Sequence, residues 1–405
     1  MQYDYDAVIV GGGPGGATAA LYAERQGLNV LLLDKKHFPR DKICGDALSG
    51  KSIIYLRELG LIEALDKAPQ ALIDSIVFSS PNNNSVKIDL VTTAHNVSKG
   101  YVCRRMVFDD ILFQAAKKKV ETIEGFAVTD LLKQDEQVIG VRGKLEDGTE
   151  KDITAKVVIG ADGYKSIVLK KLGLYDPDPE HMMVATRAYY RGVTGLNSAI
   201  EIHYVKSVLP GYFWIFPLEN GLANVGVGMV KKELKQKKVQ LRRAHIAATE
   251  SPEFGERFKN AELVSDISGW NLPTGSKRRQ VHGDGFLLIG DAAGLVDPFT
   301  GEGIGNAMCS AKIAVESIAE AVKAGDFSKK KLDLYETQLW NAIGGELNLA
   351  YKLQKTARMQ PLVNLVVGKA SRSKRVADWI SDMIAGQVSK RELLSPLTYL
   401  RLLFN

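Results

Sequence analysis

Three glycines between two apolar runs constrain this chain more than any other feature. In YDAVIVGGGPGGATAALYAERQGLNVLLLDK, residues 5–35, AVIV is a short β-branched run, ATAALYAERQG has helical composition and stops at Gly27, and NVLLLD reads as a second buried strand. Gly11, Gly13 and Gly16 set a G-x-G-x-x-G spacing at the strand-to-helix turn. The first glycine makes the turn, the second lets backbone approach a pyrophosphate, and the third lets helix pack on strand. Pro14 and Gly15 open the helix, whose N-terminus favours an anion. Asp34 ends the second strand 18 residues after Gly16, where an acid bonds ribose hydroxyls, and Lys35 follows it. The unit predicts a bound dinucleotide without choosing between NAD and FAD.

The totals limit the alternatives. At 405 residues, 45% hydrophobic and 25% charged, the chain has the composition of a globular protein large enough for two or three lobes. Cys44, Cys103 and Cys309 are too few and too scattered for a disulfide framework or a zinc site, and no metal is expected. MQYDYD places acid before the first apolar run, unlike a signal peptide, and no stretch reaches the roughly 18 apolar residues of a spanning helix, so the chain reads as cytoplasmic. Residues 351–405 hold ten Lys and Arg against three Asp and Glu, a net +7 within a total of +6. Such a tail suits either a solvated helical face or peripheral contact with an anionic membrane. No aromatic-interleaved basic stripe points to nucleic acid.

Two later segments repeat the strand-and-glycine theme. KVVIGADGYKSIVLKKLG, 156–173, is a buried strand ending at Asp162-Gly163. GDGFLLIGDAAGLVDPFTGEGIGNAMCSAKIAVESIAEAV, 283–322, is a strand ending at Gly290-Asp291, a glycine-rich loop through Gly301, Gly303 and Gly305, and a long helix from about Gly303-Ile304. This order resembles the flavoprotein hydroxylases and reductases built on the para-hydroxybenzoate hydroxylase fold. The resemblance implies FAD, with Asp291 on the ribityl chain and the loop glycines beside a helix N-terminus that stabilises negative charge on a reduced flavin. It also implies that Arg105, in CRRMVFDDIL, reaches the cofactor's linker and that Val128, in GFAVTD, lies near the adenine. The family's arginine after G-A-D-G is replaced here by Leu169. No second nucleotide-binding βαβ unit and no C-x-x-C pair appear, which argues against disulfide reductases.

Between these fingerprints the texture changes. Residues 176–275 contain extended runs and one helical stretch near 235–260, predicting an antiparallel sheet. In GYFWIFPLENGLANVGVG, 211–228, Tyr212, Trp214 and Phe216 share one face of a strand, Pro217 ends it, and Gly226 and Gly228 follow on the next. The rings are either core or one wall of an apolar trough left by the missing side chains. Tyr-x-Trp-x-Phe-Pro followed by Gly-x-Gly resembles the geranylgeranyl reductase family, as does RDKICGDALS, 40–49, whose Cys44-Gly45 pair lies beside the isoalloxazine in that family.

The expected fold is α/β (α+β overall). A Rossmann-like FAD-binding domain comprises 1–75, 100–175 and 276–330, interleaved with an antiparallel substrate domain of 76–99 and 176–275, and followed by a helical tail of 331–405. The resemblance implies a reductase that transfers hydride from reduced flavin to isolated double bonds of an isoprenoid chain, with NADPH or a ferredoxin-type protein as donor. Cys44 and Trp214 are the candidate catalytic side chains, and Cys44 equally suits a small packing residue. The rival readings are an FAD monooxygenase of an aromatic or quinone, a flavin halogenase (whose signature is Trp-x-Trp-x-Ile-Pro), and a silent lipid carrier. Purified protein is expected to be yellow, with one non-covalent FAD per chain. Absorbance after desalting should show FAD lost more readily from Asp34→Ala and Asp291→Ala; full retention in both contradicts the assignment.

Overall fold

The computed structural model describes residues 2–90, 100–384, 389–395 and 397–399. Residues 91–99 of the expected substrate domain, and 385–388, 396 and 400–405 of the tail, lie outside the described residues.

The glycine loop sits at the centre of a parallel sheet. Strands run in the order Phe286–Leu288, Glu150–Gly160, Tyr5–Val10, Val30–Asp34 and Glu121–Glu124, all parallel. A hairpin of Ala127–Gln134 and Gln137–Lys144 extends the sheet antiparallel from the first half of Glu150–Gly160. Val8, Ile9, Leu32 and Val158 are fully buried in one apolar core that spans the sheet, which is why these strands read as unbroken apolar runs.

Helix Pro14–Arg25 packs against helices Arg105–Lys117 and Ile304–Ala324, and Ala17, Ala19 and Ala20 keep the approach close. Gly11 has φ +105°, and a Cβ there would lie 2.6 Å from the Ala161 carbonyl oxygen, so the glycine loop abuts the Asp162-Gly163 turn. A Cβ at Gly16 would lie far inside van der Waals contact of the Gly11 carbonyl oxygen.

The second sheet has the order Glu262–Leu263, Met182–Arg191, Leu222–Val230, Tyr212–Pro217, Ala199–His203, Ser75–Ser79 and Ser85–Asp89, with Ser268–Pro273 also pairing with Met182–Arg191. It is antiparallel except where Ala199–His203 joins Ser75–Ser79. Phe213, Ile215, Val225, Val227 and Met229 fill one face against helix Leu241–Thr249, Phe254 and Phe258. Trp214 and Phe216 lie on the other face, with Ile73 and Val102. The helical stretch expected near 235–260 is three short helices, Lys231–Gln236, Leu241–Thr249 and Gly255–Phe258. A small sheet of Ala47–Leu48, Gly100–Val102 and Ala71–Ile73, which sequence reading did not anticipate, brings Ile73 and Val102 against Trp214 and Phe216.

The C-terminal helices are Lys329–Thr356, Gln360–Ala370 and Lys374–Ile384. The last two pack Val367, Ala370 and Val376 against Val86 and Ile88 of the Ser85–Asp89 strand. Among the described residues no helix is long and apolar enough to cross a membrane. Of the tail's basic residues, Lys352, Lys355, Arg358, Arg372, Lys374, Arg375, Lys390 and Arg391 are exposed, while Val363, Val366, Ile380 and Met383 line the interior cavity described below.

Because the Gly16–Gly11 approach leaves no room for a methyl group, Gly16→Ala should cost about 3 kcal/mol or more through overpacking and backbone displacement. Chemical denaturation of cofactor-free protein should show it as a fall in midpoint at unchanged slope; a loss below about 1 kcal/mol contradicts the packing argument.

Candidate active site

One cavity of about 1590 Å³ runs between the two lobes and on to the C-terminal helices. Its wall gathers residues from all the sequence fingerprints: Gly11, Gly13, Pro14, Gly15, Asp34, Lys35, Cys44, Gly45, Arg105, Val128, Asp162, Gly163, Asp291, Gly301, Gly303 and Ile304. Tyr212, Trp214, Phe216 and Gly228 line it too. Gly16, Pro217 and Gly226 do not: they shape the backbone behind the wall.

At the nucleotide end, Asp34 is already organised. Its Oδ2 accepts from the Gly12 N–H at 2.7 Å and its Oδ1 from the Lys36 N–H at 2.8 Å, which holds the glycine loop against the second strand. The N-cap residues Gly13 and Gly303 have no side-chain caps, so amides of both helix N-termini are free for a ligand, apart from that of Gly305, which Glu302 takes. Arg40, which sequence reading missed, comes within 3.4 Å of where a Gly13 Cβ would be. Asp291 pairs with Lys42 at 3.2 Å.

Arg105 is 2% exposed and held bidentately by Asp109, at 2.5 and 2.7 Å. Asp162 caps helix Ile167–Lys171 through the Ile167 and Val168 amides, and its Oδ1 is buried without a partner. Leu169 turns into the core while Lys165 and Lys170 line the cavity, so cations do reach this wall from neighbouring positions.

The aromatic strand is tied to the cofactor-side loops at three points. The Tyr212 hydroxyl donates to the Thr300 carbonyl at 2.5 Å. Gly45 packs on Phe216, 3.3 Å from where its Cβ would be. The Trp214 Nε1–H donates to Asn224 Oδ1 at 2.9 Å, and Asn224 Nδ2 donates to both the Cys44 carbonyl and Asp46 Oδ2, each at 2.8 Å.

The two glycines opposite the rings differ in role. Trp214 pairs with Gly226 and lies flat across it, so a Cβ there would collide with both the indole and the Thr186 carbonyl. The expected trough over Gly226 is therefore filled by the protein's own ring. At Gly228 the nearest atoms to a Cβ are 3.7 Å away, and there the cavity is open.

The chain matches a family model described as an FAD binding domain over residues 4–341. It is 31% identical over 365 residues to a digeranylgeranylglycerophospholipid reductase of Methanocella arvoryzae, covering 88% of each chain. It is 32% identical over 360 residues to one of Methanosarcina acetivorans, covering 86% and 84%. The chain belongs to the geranylgeranyl reductase group of FAD-dependent oxidoreductases.

Among solved structures, a geranylgeranyl bacteriochlorophyll reductase-like protein of Thermoplasma acidophilum shares the enzyme's fold, with a TM-score of 0.80, 24% identity, and 94% and 96% of the two chains covered. A flavin-dependent brominase gives a TM-score of 0.75 at 27% identity, covering 94% and 93%. The fold is thus shared with halogenases.

The residues present fit FAD. The positive-φ turns at Gly11 and Gly301, the uncapped helix ends, and Arg40 beside Gly13 form an anion cradle next to a long cavity.

Asp46 and Arg187 are the other members that sequence reading missed, although Asp46 directly follows the quoted Cys44-Gly45. Asp46 is 0% exposed and adopts φ +67°. Its carboxyl is pushed up to about 6 by burial, against the opposing pull of Arg187, Asn224, Tyr189 and Arg105. Arg187 pairs with Asp41 at 2.7 Å and stacks on Tyr189. A carboxyl raised on folding contributes most below its unfolded value near 3.8, and that contribution is lost as pH rises through about 6. Asp46→Asn should therefore match wild type in melting temperature near pH 4 and exceed it by about 2–4 °C at pH 8. A variant less stable at pH 8 than at pH 4, relative to wild type, contradicts this burial argument.

Proposed function

We propose that the enzyme hydrogenates isolated double bonds of an isoprenoid chain carried on a lipid. The reading rests on one observation: the cavity that begins at the FAD fingerprints continues past Trp214 and Phe216 into an apolar arm. Ile76, Phe78, Val363, Val366 and Met383 line that arm. An extended apolar ligand suits such a space, and a small phenolic ring would leave most of it unfilled. The named activity of the Methanocella and Methanosarcina relatives agrees with this substrate class.

Bound FAD, once reduced, supplies hydride. The chain's own residues bind and orient. The Gly11–Gly16 loop, Asp34 and Arg40 would hold the nucleotide half, and the Ile304 helix end would favour negative charge on the reduced ring. Cys44 and Gly45 sit where the cofactor wall meets the aromatic strand, and Cys44 is the proposed group beside the reacting ring. An isolated alkene is a poor hydride acceptor, so Trp214 and Phe216 must fix the chain and keep water away. NADPH or a ferredoxin-type protein is the proposed reductant; with one nucleotide-binding βαβ unit among the described residues, NADPH would dock without a Rossmann domain of its own. Arg372, Lys374 and Arg375 face outward and would support contact with an anionic membrane that presents the lipid.

Gly228→Val is the sharpest test, because its side chain fits the backbone yet narrows the cavity. It should keep FAD and fold, while turnover of a long-chain over a short-chain isoprenoid falls about 10-fold or more. Presenting the lipid in anionic rather than neutral vesicles should raise the rate, and salt should remove the gain. Unchanged chain-length preference would sink the groove, and indifference to vesicle charge would sink the membrane contact.

A further inference from the structure

The hydroxyls that border the cavity are almost all committed. Ser49 donates to Glu302 and Tyr101 to Asp66, and Tyr212, Thr356, Ser381 and Tyr399 each donate to a backbone carbonyl. The Thr300 hydroxyl accepts from the Glu302 N–H. Tyr204 is the exception among the described residues. It lines the cavity and is only half-buried, and its hydroxyl has no hydrogen-bond partner in the protein. Unlike the sealed carboxyl oxygens of Asp46 and Asp162, that hydroxyl keeps accessible surface.

Its place in the second sheet gives the hydroxyl a use. Tyr204 directly follows strand Ala199–His203, on the face that Ile200 and Ile202 also turn to the cavity. Its N–H donates to the Ser79 carbonyl at 3.0 Å, so it adjoins the strand whose Ile76 and Phe78 wall the apolar arm. On its other side, the His203–Phe213 pairing sets it beside Tyr212, which bonds Thr300 in the loop before the Ile304 helix. Tyr204 stands where the cofactor end of the cavity gives way to the hydrocarbon arm. Burial pushes its phenol up to about 12, so at neutral pH it is an uncharged hydrogen-bond donor.

We propose that the Tyr204 hydroxyl recognises a neutral oxygen at the head of the isoprenoid chain, the ether, ester or alcohol oxygen from which the chain runs into the arm. This inference rests on the isoprenoid reading above and adds which end of the substrate lies toward the cofactor loop. A purely hydrocarbon ligand would cover the hydroxyl and offer it no partner, which disfavours that ligand. A chain with an oxygen at this point accepts the O–H bond and fills the arm with its apolar remainder. A site that bonds a substrate oxygen discriminates against the analogue lacking it far more sharply than an apolar wall does. Tyr204 is therefore a specificity-determining residue, fixing how far the chain enters past Phe78 and Ile76.

Tyr204→Phe removes the hydroxyl and keeps the ring, and two probes on the FAD-loaded enzyme test the proposal: geranylgeranyl methyl ether and the matching hydrocarbon without its oxygen. Partition of each tritiated probe from neutral vesicles onto oxidised enzyme gives its affinity. Wild type should hold the ether about 10-fold more tightly than the hydrocarbon, and Tyr204→Phe should hold both alike through weaker ether binding. In anaerobic turnover with dithionite-reduced flavin, the variant's KM for the ether should rise about 10-fold while kcat stays within about 2-fold of wild type. Equal binding of the two probes by wild type, or none, overturns the proposal, as does a variant that keeps the wild-type preference. A large fall in kcat on both probes also overturns it, because the phenol then acts in the chemistry or as a structural prop. A changed flavin spectrum in the ligand-free variant overturns it by showing that the hydroxyl bonds the cofactor. If wild type binds the ether but reduces neither probe, the isoprenoid-reductase reading fails, and the binding comparison still decides whether Tyr204 reads an oxygen.

Discussion

Asn224 is fully buried in the middle of an otherwise apolar strand, and its amide is entirely committed. It accepts from Trp214 and donates to the Cys44 carbonyl and to Asp46. A buried amide that lost any of these partners would face a desolvation cost of about 1–3 kcal/mol, so the three bonds lock one relative placement of aromatic strand and cofactor-side loop. The indole ring, the Cys44-Gly45 backbone and the Asp46 carboxyl are all positioned from that one side chain. Apolar packing between the lobes is less directional and would tolerate a slide; this knot does not.

The aromatic ladder then serves packing and binding together. Trp214 is 6% exposed and Phe216 8%, values of core residues, yet both border the cavity. Alternation explains how. Phe213 and Ile215 face the helices behind the sheet, so the strand is anchored from the rear and can present a rigid apolar front. Core strand and groove wall are two faces of one element.

Electrostatics divides the cavity along its length. The nucleotide end carries amides, Arg40, Lys42 and paired acids, which suits a charged cofactor. The far arm is built from aliphatic side chains of the Ser75–Asp89 hairpin and the last helices. Asp46 and Arg187 are buried where the cofactor-side loop meets the second sheet, Arg187 through Asp41 and Asp46 through Asn224. A low-dielectric neighbourhood strengthens every charge interaction placed there.

Much of this was legible in the chain itself. Glycine spacing and short apolar runs are local signals, because a tight turn or a buried strand is dictated by neighbouring residues; hence the cofactor loop, Asp34, Asp291 and the Ile304 helix start were readable. The periodicity of Tyr212, Trp214 and Phe216 placed the rings on one face for the same reason. What occupies the space above Gly226 and Gly228 could not be read that way, since it depends on how an indole folds across a neighbouring strand. Asp46, Arg187 and Asn224 lie up to 178 residues apart and carry no shared spacing. Only the packing of the Cys44–Asp46 loop on the second sheet brings Asp46 within hydrogen-bond reach of Asn224, and only strand pairing sets Arg187 near them. A buried polar residue inside GLANVGVGMV was the lone hint, because burial demands partners that sequence does not name. Local chemistry determined the glycine loops and strand ends, and long-range packing decided which side chains surround the cavity between them.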